Sequence, residues 1–243
     1  MPPVRIALVS DLHGNMTAVR ALENDLTGRG ITDIWCLGDV VGKGSNSHLT
    51  FDWAIRNCAF ILRGNWDEGI GLRQFQRDGF YYEQLGEARM AALLNFPLEK
   101  HVIFSGRRIR LIHGRPVMPQ LQYIFDPREA LLPLLEPDFD MVIYGDCHRP
   151  GLRTISGQIA NIGSVGNGLG LPMVQYAILE GEMGEKPVPM ALSFITVPYD
   201  KEAAVAETRA QPGLPDAEAF MAEIRTGVYS RKKGSFRKEE GLT

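Results

Sequence analysis

Short apolar runs alternate with amphipathic segments along the first sixty residues. Val4–Val9 is apolar and rich in β-branched residues, and it ends at a polar cluster over residues 10–15, as a buried parallel strand would. Residues 15–26 then place apolar side chains near helical spacing. Further strands are predicted over residues 34–37 and 60–62, with a helix over 49–56 between them. Strands that alternate with helices predict a layered α/β sheet.

The pattern changes after residue 70. Residues 70–95 lack strand signals and suit one or two helices closed by Pro97. A hairpin is predicted over 101–104 and 108–112, and Asp126 followed by Pro127 predicts a helix that continues to residue 135. The remaining elements are a strand at Met141–Tyr144, an antiparallel series over 153–155, 158–162, 176–179 and 192–197, and short helices over 200–210 and 216–224.

The domain organisation follows from length and composition. A chain of 243 residues with 44% hydrophobic and 23% charged residues favours one large globular domain, placed here at residues 1–229. Residues 230–243 are basic and poor in apolar side chains, which predicts a disordered tail. Alternatively, this basic run contacts a phosphate-rich partner.

Charge and cysteine content exclude several classes of function. The formal net charge of -3 gives no global reason for nucleic-acid or anionic-membrane binding, so an anionic substrate must be attracted locally. Three cysteines without a CxxC pair argue against a secreted disulfide framework. We therefore expect a cytoplasmic protein without a signal peptide or membrane span. The oligomeric state stays open.

Potential metal ligands follow five of the predicted strands. Each has an ordinary explanation as a turn residue or a surface histidine, but the carboxyl ends of strands in open α/β sheets meet at one edge. Imidazole, carboxylate and amide ligands without thiolate suit a pair of Mn, Fe, Mg or Zn ions. The residues are Asp11 and His13, Asp39, Asn65, His113, and Asp146 and His148.

This ordered set resembles the calcineurin-like metallophosphoesterases, whose pattern is DxH, GD, GN[HCW][DE], H and GHxH. The match runs from Asp11 to His148, and the segment at 161–166 is similar to the NPGSVG segment of small bacterial members. That group contains diadenosine tetraphosphatase-like and YfcE-like phosphodiesterases. The resemblance implies an α/β fold, a four-layer α/β/β/α sandwich with mixed sheets, and two metal ions at one edge.

The resemblance also assigns roles. Asp11, His13, Asp39 and His148 would hold the first metal, and Asn65, His113 and Asp146 would complete the second. Asp39 would bridge the two ions and hold the nucleophilic hydroxide, which is plausible because a shared carboxylate offsets the repulsion between two cations. The implied cofactors are two divalent ions, with Mn, Fe or Mg preferred and Zn possible.

Two positions depart from the family pattern. Asp146 stands where the family has a histidine, so the second site would favour harder ions than zinc. Alternatively, Asp146 only caps a turn. Trp66 stands where many members have a proton-donating histidine, which favours leaving groups that need little protonation, such as those of phosphoanhydrides. The indole would then stack on a base, or alternatively pack in the core.

Further site candidates flank these motifs. Asp67 is expected to orient a neighbouring ligand or a water. Substrate binding is assigned to Trp66, Asn65, Arg115 and Arg149, because a fixed arginine can hold phosphate through two hydrogen bonds. Lys43, Asn46 and His48 lie in the loop after Asp39, and for Lys43 and His48 a solvated loop charge is an equal interpretation.

The sequence thus predicts a metal-dependent phosphohydrolase that cleaves a phosphoester or phosphoanhydride in a small compound, such as a dinucleoside polyphosphate. A phosphoprotein phosphatase or phosphodiesterase that uses the same metals is the alternative within this class. A protein-interaction scaffold with an inefficient site is the alternative outside it. A nuclease is disfavoured by the charge pattern.

Overall fold

Two five-stranded sheets form the centre of the molecule. The computed structural model describes residues 3–231. The first sheet has the strand order β10-β9-β1-β2-β3 and the second the order β4-β5-β6-β8-β7. The strands are Val4–Val9, Asp33–Cys36, Phe60–Ile61, Glu99–Phe104, Arg107–Ile112, Met141–Tyr144, Gly151–Thr154, Gln158–Asn161, Val174–Gly181 and Ala191–Val197, numbered β1 to β10.

Seven α-helices are found among the described residues. They are numbered α1 to α7 and span Met16–Arg29, Ser47–Asn57, Asn65–Gly71, Gly79–Leu94, Arg128–Leu131, Lys201–Arg209 and Ala217–Thr226. None of the helices in residues 3–231 has the length and apolar character needed to cross a bilayer.

Parallel pairing sets the edge at which the strands end. β1 pairs in parallel with β2, and β2 with β3, so all three finish on one side of the first sheet. In the second sheet, β5, β6 and β8 are parallel neighbours. The polar loops that follow these strands therefore meet at the carboxyl ends of both sheets, as expected for ligand sites in α/β folds.

The period of two along each strand divides the core into layers. In β1, Ile6 and Leu8 enter the core between the sheets, whereas Ala7 and Val9 face the helices. In β6, Met141 and Ile143 share that inter-sheet core. The other residues of β6 pack against the α5 region on the far side. This burial confirms the four-layer α/β/β/α arrangement, with a mixed sheet in each central layer.

Most predicted elements are present with shifts of a few residues, but three predictions are wrong. The antiparallel series is divided between the sheets, since β8 pairs in parallel with β6, while β9 and β10 extend the first sheet. The helix predicted to reach residue 135 ends at Leu131 and continues as a 3-10 turn, where Pro133 cannot donate a backbone hydrogen bond. The helical region predicted over residues 70–95 begins earlier, because α3 starts at Asn65.

The predicted disordered tail needs correction at its start. Ser230 and Arg231 are placed in the structure, and Arg231 is buried. The prediction for residues 232–243 lies outside the described residues. The domain boundary at residue 229 stays a prediction.

Candidate metal centre

Backbone hydrogen bonds hold the loops after the strands against one another. The amide of Asp11 donates to the carbonyl of Gly38 at 2.9 Å, and the amide of His13 donates to the carbonyl of Asp39 at 3.1 Å. The amide of Gly145 donates to the carbonyl of His113 at 2.7 Å in the second sheet. These bonds fix the spacing of loops that lie far apart in sequence, so the side chains they carry are positioned by the backbone.

Three buried histidines are oriented in the same way. Each places Nδ1 against a backbone carbonyl oxygen, which assigns the proton to Nδ1 and leaves the lone pair on Nε2. The carbonyls belong to Val41 for His13 (3.2 Å), Leu37 for His113 (2.8 Å) and Asn167 for His148 (2.7 Å). The three Nε2 atoms therefore face the cluster, where each could bind a metal ion in the neutral form of its ring.

Those Nε2 atoms converge on one oxygen of Asp11. Oδ1 of Asp11 lies 3.1 Å from Nε2 of His148, 3.5 Å from Nε2 of His13 and 3.9 Å from Nε2 of His113. Among the described residues this buried oxygen has no hydrogen-bond partner, whereas Oδ2 accepts from the amide of Asp146 at 3.2 Å. A buried carboxylate oxygen without a partner costs stability unless a cation meets it.

Asp39 lies between the histidines of the two sheets. Its Oδ2 is 3.6 Å from Nε2 of His13 and 3.3 Å from Nε2 of His113, while Oδ1 accepts from the amide of Trp66 at 2.9 Å. Asn65 adds a buried Oδ1 that has no hydrogen-bond partner within residues 3–231. The loops thus bring six of the seven predicted ligands into one region.

Two sets of these side chains could each hold an ion. Among the described residues, Asp11, His13 and His148 form one set, which we call the first ligand group. Asp11, Asp39 and His113 form the other, called the second ligand group. The unpartnered atoms and the absence of thiolate from either group fit divalent ions that accept oxygen and imidazole ligands.

The electrostatics of the cluster lower the pKa values of its two carboxylates, Asp11 and Asp39. Burial opposes protonation of His113, but the carboxylates of Asp39 and Asp11 outweigh it and raise its pKa to about 10. Burial would raise the pKa of Asp11, yet His148 and His113 hold it well below its usual value. Burial and nearby Lys43 lower the pKa of His13 to about 4. The carboxylates are thus ionised, as metal ligation requires.

Asp146 is placed differently from the prediction. Its carboxylate makes a two-pronged ion pair with Arg115, with Nη2 to Oδ1 at 2.7 Å and Nε to Oδ2 at 3.0 Å. The amide of Arg115 also donates to Oδ2 at 3.0 Å. Asp146 belongs to neither of the ligand groups found among the described residues, and its carboxylate contacts the loop after β5 through Arg115. Its carboxylate orients Arg115 because both oxygens are engaged by that residue.

Asp67 fixes the loop that carries Asp39. Its Oδ2 accepts from the amides of Asp39 (2.7 Å) and Gly64 (2.9 Å), and Oδ1 accepts from the amide of Val40 (3.0 Å). Burial and the negative charge of Asp39 raise the pKa of Asp67 to about 7. This geometry corresponds to the expected orienting role, exercised through the backbone of the ligand.

The side chain of Lys43 is buried beside the ligands, which the solvated-loop interpretation did not anticipate. Lys43 is 6% exposed, and its Nζ lies 3.1 Å from Nε2 of His148. Burial lowers its pKa to about 8, and the charge of Arg231 adds to this effect. The sequence indicated only that Lys43 lies four residues after the predicted ligand Asp39. Its burial depends on tertiary packing.

Trp66 is both a core residue and part of a cavity wall. It is 8% exposed, and its ring meets that of His13 edge-on with centroids 5.9 Å apart. A cavity of about 200 Å³ lies beside it, lined by Asn65, Trp66, Arg115 and neighbouring residues of α3 and the loop after β5. Arg149 is exposed and is not among the lining residues. The structure therefore groups three of the four predicted substrate-binding residues.

A family model matches most of the chain. The model described as the calcineurin-like phosphoesterase superfamily domain matches residues 4–184, which include every predicted ligand. A curated relative, the uncharacterized protein MJ0912 of Methanocaldococcus jannaschii, is 28% identical over 174 residues. The alignment covers 63% of this chain, and the chain spans 66% of the length of that relative.

Solved structures from three organisms share this fold. A metallophosphoesterase from Sphaerobacter thermophilus is 26% identical with a TM-score of 0.72, covering 93% of this chain and 99% of its own. A hypothetical protein, PH1004, from Pyrococcus horikoshii has a TM-score of 0.73 at 19% identity, covering 93% and 100%. Vacuolar Protein Sorting 29 from Cryptosporidium parvum has a TM-score of 0.50 at 18% identity, covering 81% and 100%. The last two likenesses concern the fold.

Proposed function

The chain belongs to the calcineurin-like phosphoesterase superfamily, and from this premise we propose that it is a metal-dependent phosphohydrolase of small phosphate compounds. The observation that carries the proposal is the convergence of three Nε2 atoms on the unpartnered Oδ1 of Asp11. A cluster held only for packing would satisfy this oxygen with a hydrogen bond. Divalent cations account for both the orientation and the missing partner.

Each residue has a defined task in this proposal. Asp11, His13 and His148 would hold one ion, and Asp11, Asp39 and His113 would hold the other, with Asn65 as an additional ligand. When bound, such ions activate water and neutralise charge on phosphoryl oxygens. The protein itself fixes the distance between the groups, because Asp39 contacts histidines of both.

The substrate would enter the cavity beside Trp66. Arg115, held by Asp146 and lining this cavity, offers a planar guanidinium to a phosphate group. Lys43 adds a second positive charge beside the ligands. These cations give a chain of net charge -3 a local attraction for anions.

The leaving group would be one that departs without a proton. An indole cannot act as a general acid, and a missing general acid typically lowers the rate by about 10²–10⁴ for a poor leaving group. A phosphate leaving group needs little assistance. We therefore propose phosphoanhydrides, such as dinucleoside polyphosphates, as the preferred class over phosphoserine esters.

Hydrolysis of a compound panel tests this function. Diadenosine tetraphosphate, a phosphodiester and a phosphoserine peptide are incubated with protein supplied with Mn²⁺, Mg²⁺, Fe²⁺ or Zn²⁺. The products, which are nucleotides, a phosphomonoester and a dephosphorylated peptide respectively, are separated and quantified by chromatography. We expect fastest turnover of the phosphoanhydride and loss of activity in Asp39→Asn. Asp138→Asn is the matched control, because Asp138 is exposed and pairs with Arg108 on the protein surface.

Three other outcomes are informative. Equal turnover of the peptide and the phosphoanhydride would remove the leaving-group argument but keep the phosphohydrolase. Full activity of Asp39→Asn would show that hydrolysis does not need the carboxylate that Asp39 contributes to the second ligand group. Absence of hydrolysis with every metal would favour the scaffold alternative.

A further inference from the structure

The last described residue, Arg231, is buried beside Trp66, whose ring contacts His13 of the candidate metal centre. The side chain of Arg231 is 1% exposed and lies near two carboxylates, with Nη1 at 3.5 Å from Oδ2 of Asp216 and Nε at 3.6 Å from Oε2 of Glu223. Its Nε and Nη2 make no hydrogen bond to the described residues. A fully buried guanidinium with two unsatisfied donors is costly, so packing alone is a poor reason for this placement.

One set of contacts leads from Arg231 to His13. The guanidinium carbon lies 5.5 Å from the centroid of the Trp66 ring, within the range of a cation–π interaction. That ring contacts the imidazole of His13 edge-on, with centroids 5.9 Å apart. The position of Arg231 therefore restricts the Trp66 ring, and the ring restricts the His13 imidazole.

A second set of contacts leads from Arg231 to His148. Oε2 of Glu223, the same atom that faces Arg231, accepts a hydrogen bond from Nδ2 of Asn167 at 2.9 Å. The carbonyl of Asn167 accepts from Nδ1 of His148 at 2.7 Å. The ion pair thus fixes the residue that sets the ring orientation of His148.

Both routes end in the first ligand group. His13 and His148 belong to it together with Asp11. Of the second ligand group, Asp39 meets the first route through the backbone amide of Trp66 and through Nε2 of His13, and His113 lies on neither route. We propose that Arg231 is a positioning residue for the first ligand group, so that the described residues after α7, 227–231, are required to assemble one of the two metal sites. This proposal rests on the proposed function and specifies how its site is assembled.

A calorimetric titration of the metal-free protein with Mn²⁺ alone tests the proposal. His13→Ala identifies the binding step that belongs to the first ligand group, and His113→Ala identifies the other. Because outer partners of metal ligands typically contribute about 10–100-fold to metal affinity, we expect Arg231→Met to weaken the first step by at least about tenfold. The second step should weaken less than the first, because only Asp11 and Asp39 of the second ligand group contact the residues on the two routes.

Two controls separate positioning from a general loss of structure. Arg225→Met removes an arginine of α7 that pairs with Glu202 at the exposed surface, and it should leave both steps unchanged. In a Trp66→Phe background the effect of Arg231→Met should shrink, because mutations on one route are not additive. Arg231→Lys, which keeps the charge, should recover part of the affinity.

The outcomes are distinguishable. Equal weakening of both steps, no weakening of either, or the same effect from Arg225→Met would overturn the positioning role. A wild-type protein that binds no Mn²⁺ would instead contradict the proposed function. Tryptophan emission of the metal-free protein gives an independent measurement: Arg231→Met should shift it, and the shift should vanish in the Trp66→Phe background.

Discussion

Five predicted ligand residues adopt a backbone conformation that side chains other than glycine rarely take. They are Asp11 (φ 57°), His13 (45°), Asp39 (52°), Asp146 (66°) and His148 (56°). This left-handed conformation costs about 1–2 kcal/mol for most residues, less for aspartate and histidine, which visit it more often. Each residue lies just after a strand, where the abrupt turn directs its side chain across the sheet edge. Strain collected at one place in this way is typical of functional sites.

Asp11 belongs to both ligand groups, so its charge is needed for both ions. We expect Asp11→Asn, which keeps the side-chain shape, to bind neither equivalent of Mn²⁺, whereas His113→Ala should keep one. Metal content after equilibrium dialysis, measured by mass spectrometry, checks this. Retention of one equivalent by Asp11→Asn would show that the groups do not share this ligand.

Asp67 is expected to contribute strongly to stability because three buried amides donate to it. Asp67→Asn turns one acceptor into a donor facing a donor, and an unsatisfied buried group costs about 1–3 kcal/mol. Chemical denaturation of the metal-free protein above pH 7, where the Asp67 carboxyl with its pKa of about 7 is ionised, should show a loss of that size. Asp140→Asn is the matched control, since Asp140 accepts from the amide of Arg108 at an exposed position and should change stability little. Similar losses in both variants would contradict the argument.

At the scale of elements, the loops pack so closely that some positions exclude a side chain. A Cβ built on Gly64, at the start of α3, would lie 2.1 Å from Oδ1 of Asp39 and 2.7 Å from the Asp39 amide nitrogen. One at Gly44 would lie 2.4 Å from the carbonyl of His13. The strands and helices therefore set the site only because glycines allow their connecting loops to touch.

Gly64→Ala is predicted to displace Asp39 and weaken Mn²⁺ binding. Overpacking of this kind costs about 1–3 kcal/mol of folding stability, which thermal or chemical denaturation measures. Gly28→Ala is the control, because Gly28 lies within α1 with open space around it and alanine there should stabilise the protein by about 0.5–1 kcal/mol. Normal metal binding by Gly64→Ala would show that the Asp39 loop can move without loss of function.

At the scale of the molecule, local patterns predict the elements well and their partners poorly. The bounds of β1 and β6 agree with the apolar runs Val4–Val9 and Met141–Tyr144, because buried strands are limited by the polar turns that follow them. The loops that carry the predicted ligands could be located from the sequence for the same reason, since each follows a buried strand. The pairing of β8 with β6 and of β9 with β1 depends on contacts far apart in sequence. The ion pair of Asp146 with Arg115 and the burial of Arg231 likewise arise from tertiary packing, which no local spacing encodes.

The candidate metal centre joins the two sheets. Asp11, His13 and Asp39 follow strands of the first sheet, and His113 and His148 follow strands of the second. Ions that bind only the folded arrangement stabilise it, by about 2.7 kcal/mol at a concentration one hundred times Kd. For a chain of this length we expect the unfolding midpoint to fall by about 5–10 °C when a chelator removes the metal. Differential scanning calorimetry with and without chelator measures this shift. Asp11→Asn should show no shift, because it is expected to bind neither ion. Ions bound elsewhere would shift the midpoints of both proteins equally.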